Sequence, residues 1–269
     1  MIDLQPLVPH LPAWLLVMFR LTGIFLYAPL FGSAAIPARV KAFLAAGLSF
    51  CVYPMLLGPG SGAAGHVVAV IENGVPFWAL VAMVVSELAI GLVIGFGATL
   101  PILGMQWGGR VIAQQVGFGL AEVFSPDQEQ SGLLSELFYL LALSIFLSLG
   151  GHHVLLRTLV DSFSTVPLGG FAIDGRVMEM VVGLLGSMLD LAVRVAAPLL
   201  CLIFLETVTT GFVARTVPQM NILSIGFAVR IMIGSILLIG AVNVYSNVFS
   251  EMLYDAWSQL SGFFAPAAT

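Results

Sequence analysis

Pro76-Phe-Trp-Ala-Leu-Val-Ala-Met-Val-Val-Ser-Glu-Leu-Ala-Ile-Gly-Leu-Val-Ile-Gly-Phe-Gly-Ala-Thr-Leu-Pro-Ile-Leu103 is the stretch on which the fold turns. Its only ionisable side chain is Glu87. A helix rising about 1.5 Å per residue along this run outreaches the ~30 Å of a bilayer core, so it must tilt, kink or project. Gly91, Gly95 and Gly97 put small residues on one side, which permits close approach of another helix.

The rest of the chain shares this character. Of 269 residues, 59% are hydrophobic and 9% charged, with mean hydropathy +1.07. Soluble domains are nearer a quarter charged. Lipid or partner subunits, rather than water, must therefore solvate most of this surface. Net charge is −5, and Lys41 is the only lysine, which argues against a nucleic-acid binder. Cys51 and Cys201 lie in apolar runs and read as small buried hydrophobes. The N-terminus has no basic region and no small-residue cleavage site, so the first span is expected to be retained.

Working outward, spans are expected at roughly 11–31, 42–57, 76–103 and 131–149. Residues 104–130 are the least membrane-like segment, mixing glycines, glutamines and bulky apolar residues. Ser125-Pro126 with Gln128 reads as a helix start: the hydroxyl caps, proline fits the first helical position and glutamine closes a capping box. Residues 152–165 form an amphipathic helix, with Leu155, Leu156, Leu159, Val160 and Phe163 on one face and Arg157 and Asp161 on the other. Two apolar arms, 176–214 and 221–250, flank Arg215-Thr-Val-Pro-Gln-Met-Asn221 and read as one helical hairpin; Gly183, Gly186 and Pro198 offer points where the first arm breaks or kinks. With the N-terminus outside, Arg39, Lys41, Arg110 and Arg215 fall inside, against Arg157 and Arg176 outside. The fold class is an all-α integral membrane protein.

Chemistry-bearing motifs are sparse: there is no HExxH, CxxC, phosphate-binding glycine loop or nucleophile elbow. His152 and His153 are sequence neighbours whose rings should diverge on a helix, and no cofactor or metal site is expected. The informative residues are Arg20, Glu87, Asp190, Arg194, Glu206 and Arg230, each expensive in lipid and each requiring a partner. Asp190 and Arg194 stand at i,i+4. Glu206 and Arg230 stand twelve residues either side of Pro218, so an antiparallel hairpin brings them to one depth. Balanced acids and bases favour a structural role, in register or against sister subunits, over a proton relay.

Residues 106–124 are expected to form a loop. Gly108, Gly109, Gly117 and Gly119 weaken helix, Gln106, Gln114 and Gln115 can satisfy exposed backbone, and Val116, Phe118 and Leu120 supply apolar bulk. Irregular backbone at membrane depth needs a protein-lined site.

Several segments together resemble one family. Arg20 with Ala28-Pro29, then Ile36-Pro37-Ala-Arg-Val-Lys41, are similar to its N-terminal signature. Gln115-Val-Gly-Phe-Gly119 is similar to its central loop, and Gly151-His152, Leu159-Val-Asp-Ser-Phe163 and Val166-Pro-Leu-Gly-Gly170 to its next element. Arg215-Thr-Val-Pro-Gln-Met-Asn221 (Arg215, Pro218, Gln219 and Asn221 above all) with Ile225-Gly-Phe227 is similar to its hairpin turn. In order and spacing, over about residues 14–235, they resemble the FliR family, the R/T-type export-gate subunits of flagellar and type III secretion systems. One departure is Ser125-Pro126 where the family commonly has Asp-Pro; serine caps a helix about as well.

The resemblance implies a P-subunit-like region at 1–175 and a Q-subunit-like hairpin at 176–269 with a C-terminal tail. It implies a non-enzymatic subunit of the bacterial inner membrane, joined by P-type and Q-type subunits, a B-type switch subunit and an A-type export subunit. Unfolded secreted proteins would pass through the channel they form. It also implies that the loop at about 105–125, with Gln114, Gln115, Val116, Gly117, Phe118, Gly119 and Leu120 at its centre, is a plug. The flagellar version is the first reading. The alternatives are a virulence-type injectisome subunit and a multi-pass small-molecule transporter; the latter predicts inverted repeats, which the sequence does not show.

Overall fold

The computed structural model describes residues 10–33, 36–57, 76–117, 132–170, 175–216 and 222–264. Among these, every regular element is an α-helix: α1 (His10–Tyr27), α2 (Ala38–Leu56), α3 (Phe77–Val116), α4 (Leu133–Ser148), α5 (Gly151–Thr165), α6 (Gly175–Thr216), α7 (Ile222–Gly240) and α8 (Val242–Phe264). Four of them, α1, α2, α3 and α6, are long and apolar enough to cross a membrane. There are up to six crossings if α4 with α5, and α7 with α8, each count as one broken span. Phe43, Phe50, Phe77, Leu133 and Ile239 are 74–90% exposed, a surface water would not tolerate. The protein is an all-α, multi-pass membrane protein.

The chain forms two compact units. The first comprises residues 1–100, 150–184 and 255–269. Here α1 and α3 approach through glycines. A Cβ on Gly23 would meet the Leu88 carbonyl and the Gly91 Cα, one on Gly91 would overlap the Arg20 carbonyl, and one on Gly95 would meet the Ile24 carbonyl. Backbone contact at this range needs residues without side chains. Gly97 faces elsewhere, toward Leu184 and Leu260, so the three glycines do not share one side as expected. Helix α2 lays Ala45, Ser49, Tyr53 and Leu56 in a buried line, and His10 Nδ1 shares a 2.7 Å hydrogen bond with the Tyr53 hydroxyl. At the other end of this unit the Thr165 hydroxyl donates to the Phe264 carbonyl, fastening the end of α8 to α5.

The second unit comprises residues 101–149 and 185–254. Its α6 segment buries Leu191, Val195, Leu199, Ile203 and Glu206, a helical stripe. A Cβ on Gly104 would strike the Met188 carbonyl, on Gly108 the Val195 side chain and on Gly109 the Phe138 ring. The Phe138 and Tyr245 rings meet edge-on at 5.3 Å between centroids.

Three further expectations, on where helices run and end, are corrected. First, 106–116 is helix, not loop: α3 runs on to Val116, because Gly108 and Gly109 serve as contact points for α6 and α4. Packing outweighs their cost of about 1 kcal/mol each in helix propensity. Second, α6 is unbroken through Gly183, Gly186 and Pro198; it spans 42 residues, about 63 Å at 1.5 Å per residue. Third, the second hairpin arm is two helices that bend by 59° after Gly240, and helix continues past 250 to Phe264 where a tail was expected.

Candidate functional site

In the first unit, Arg20 on α1 and Glu87 on α3 are both fully buried, with Arg20 Nε donating to Glu87 Oε2 at 2.5 Å. Arg20 Nη1 donates to Ser162 Oγ and Nη2 to the Val166 carbonyl, each at 3.1 Å. The Ser162 hydroxyl donates onward to the Leu159 carbonyl at 2.6 Å. The guanidinium carbon lies 4.1 Å from the centroid of the Phe163 ring. Glu87 Oε1 accepts the Gly169 backbone N–H at 2.7 Å. Gly169 has φ +75°, and Met83 packs where a side chain on it would go, so glycine is required twice over. Both carboxylate oxygens have donors and all three guanidinium nitrogens have acceptors. A buried ion pair depends on such additional hydrogen bonds to offset its desolvation, and here each charged nitrogen and oxygen has one. The cluster is a strut: it ties α1 and α3 to the end of α5 and the turn at 166–170.

The second unit holds a more open pair. Arg230 Nη2 and Nε donate to Glu206 Oε2 at 3.1 and 3.2 Å, and Nη2 also reaches Thr207 Oγ1 at 3.0 Å. The Thr210 hydroxyl donates to Glu206 Oε1 at 2.9 Å. The Glu206 side chain is 4% exposed and that of Arg230 31%. The pairing expected from the hairpin's symmetry is present. So is Asp190–Arg194, at 2.8 Å, with side chains 48% and 55% exposed.

The end of α3 lies in this unit. Gln114 and Gln115 are exposed, whereas Val116 is fully buried against Gly234 of α7. Gly117 has φ +99°, and the Phe227 ring occupies the space a side chain would need. Phe118, Gly119 and Leu120 lie outside the described residues, as do Ser125-Pro126 and, in the hairpin turn, Pro218, Gln219 and Asn221. Arg215 is exposed in the last turn of α6.

Among the described residues no group of three or more His, Cys, Asp or Glu is placed to hold a metal. The His152 and His153 rings do not diverge as expected; their centroids are 4.1 Å apart at the start of α5. Both cysteines are exposed rather than buried. Sequence reasoning listed Arg20 and Glu87 singly and missed their pairing, along with Ser162 and Gly169. The usable signal was charge balance: Arg20 and Glu87 are the lone base and the lone acid inside the first three spans.

Fold and site together define a multi-pass helical membrane protein in which charged side chains on apolar helices pair with one another. The model of the bacterial export proteins, family 1, matches residues 11–256. The chain belongs to that family. It is 31% identical over 248 residues to flagellar biosynthetic protein FliR of Bacillus subtilis, covering 89% of this chain and 91% of that one. It is 28% identical to the FliR proteins of Aquifex aeolicus and Escherichia coli, over 241 and 251 residues, about nine-tenths of each chain.

Proposed function

We propose that this chain is a core subunit of the flagellar protein-export gate in the bacterial inner membrane. It joins P-type and Q-type subunits to form the channel for unfolded secretion substrates, beside a B-type switch subunit and an A-type export subunit. The observation that carries this reading is the match to flagellar FliR proteins over about nine-tenths of each chain. The resemblance motifs around Arg20, Leu159–Phe163 and Val166–Gly170 also meet at one buried cluster. The role is non-enzymatic, with energy supplied by other components. Residues 1–175 correspond to a P-like part and 176–269 to a Q-like hairpin; the two compact units cut across that division.

Within this reading the plug is Gln114–Leu120. Its start is fixed by Val116 on Gly234 and by Gly117 against Phe227, so the chain leaves α3 from a rigid seat. Val116 is committed to the packing of this seat, and the apolar bulk that suits a seal excluding water and ions is that of Phe118 and Leu120. Two experiments test the proposal. Deleting the gene should abolish secretion of flagellar substrates and restoring it should recover secretion; undiminished secretion contradicts the role. Deleting Gln115–Gly119 should let small ions or dyes cross an assembled gate, and an assembled mutant that stays tight removes the plug.

A further inference from the structure

Helix α7 meets two neighbours through two adjacent faces. Toward α6 it presents Gly226 and Arg230. A Cβ on Gly226 would lie 3.3 Å from Thr210 Cγ2 and 3.6 Å from Glu206 Oε1, and the Arg230 guanidinium donates to Glu206 and Thr207. Toward the end of α3 it presents Phe227 and Gly234. A Cβ on Gly234 would lie 2.8 Å from Val116 Cγ2, and the Phe227 ring fills the space beside Gly117. At 3.6 residues per turn the members of each pair fall within about 40° of one another, and the two pairs stand about 70° apart around the helix. We propose that the Glu206–Arg230 ion pair positions the end of α3. By clamping α7 to α6 it keeps Phe227 and Gly234 against Gly117 and Val116, and opening it unseats the point where the chain leaves α3. The positioning role stands on this geometry alone; its consequence for a plug rests on the proposed gate function.

Three features suit the pair to this role. First, α7 has little else to hold it within the chain. Among residues 226–240 Gly234 alone is buried by the described residues, and the helix turns by 59° into α8 after Gly240. Elements with few buried contacts are those that open at low cost. Second, the pair is one that can part. The Arg230 side chain is 31% exposed, and without it Glu206 would keep the Thr210 hydroxyl at 2.9 Å. Arg20 and Glu87, with no exposure at either side chain, have no such way out. Third, the end of α3 meets α7 at two consecutive residues. Val116 is fully buried and lies on a glycine, and Gly117 turns left-handed with φ +99° under the Phe227 ring, so a displaced α7 gives up both contacts together. The hydrogen bonds of Arg230 run to α6, and its influence on α3 therefore passes through α7.

The test reads the mobility of a spin label at Gln115→Cys, exposed in the last turn of α3, in the assembled gate in lipid nanodiscs with Cys51 and Cys201 replaced by serine. A label at Leu140→Cys, exposed on α4 of the same unit, is the control. Arg230→Met should raise the mobility of the Gln115 label about twofold and leave the Leu140 label unchanged. A disulfide between Thr210→Cys and Gly226→Cys, formed before labelling, should return the Gln115 label of the Arg230→Met chain to its wild-type mobility. It clamps α7 to α6 without the charges, and a sulfur in place of Thr210 Cγ2 is within reach of that bond. The Thr210→Ser/Gly226→Ser counterpart, which cannot cross-link, should stay mobile. An unchanged Gln115 label in Arg230→Met, equal loosening at Leu140, or failure of the disulfide to restore order each overturns the positioning role. If Arg230→Met does not assemble, Arg230→Lys takes its place with the same outcomes. Loosening and restoration at Gln115 in an assembly whose secretion and tightness to dyes do not change would sustain the positioning role and count against the gate function.

Discussion

The charged groups of the two compact units are finished to different degrees. In the first unit, Arg20 and Glu87 have no exposure, and besides each other they are hydrogen-bonded by Ser162, Val166 and Gly169. In the second, Arg230 keeps 31% of its side chain exposed, and Asp190 and Arg194 about half. A charge that is closed within the chain stabilises the subunit alone. A charge left half open at membrane depth requires a neighbour. Under the proposed function, the first unit would hold the fold and the second would meet the assembly.

The largest effect should come from breaking the closed cluster. Arg20→Ala or Glu87→Ala strands a buried charge and should destabilise the chain by about 3–5 kcal/mol, read as a lowered thermal midpoint and loss of protein from the membrane. Replacing both together by methionine should recover much of the loss, because a buried pair is replaceable by apolar residues where a lone charge is not tolerated. If the double replacement is as damaging as the singles added together, the two residues do not act as a pair.

Next in size is Gly91→Ala, which drives a methyl into the Arg20 carbonyl and should cost about 1–3 kcal/mol by forcing α1 from α3. The more open pair should show a coupling of about 0.5–3 kcal/mol in a Glu206/Arg230 double-mutant cycle, with partial recovery on exchanging the two residues. Absence of coupling would mean their 3.1 Å contact does not contribute. The smallest effect, and of opposite sign, is Gly47→Ala on α2. Nothing lies near that position among the described residues, so the gain in helix propensity should stabilise by up to about 1 kcal/mol.

How much of this was legible in the sequence follows from the distance over which each feature is encoded. The spans were legible because lipid demands long apolar runs and this chain supplies them. Asp190–Arg194 was legible because i,i+4 is a local relation, and Glu206–Arg230 because Pro218 marks a mirror point between them. The Arg20–Glu87–Gly169 cluster was not, since its members lie 67 and 82 residues apart and meet only because Gly23 and Gly91 let α1 and α3 touch. The same blind spot misread Gly108 and Gly109. Local propensity marks them as helix-weakening, and only the positions of Val195 and Phe138 reveal them as contact points. The break at Gly240 was hidden inside a run whose apolarity continues through Ala241 and Val242 on its far side.

The division of labour between the units is tested most directly by comparing Glu87→Ala with Asp190→Ala in cells that make the complete gate. The amount of chain in the membrane and the amount of other subunits recovered per chain are measured together. Glu87→Ala should lower the first severalfold and leave the second near wild type; Asp190→Ala should leave the first and lower the second. Normal chain levels with reduced co-recovery for Glu87→Ala would place the buried cluster at an interface and contradict the account.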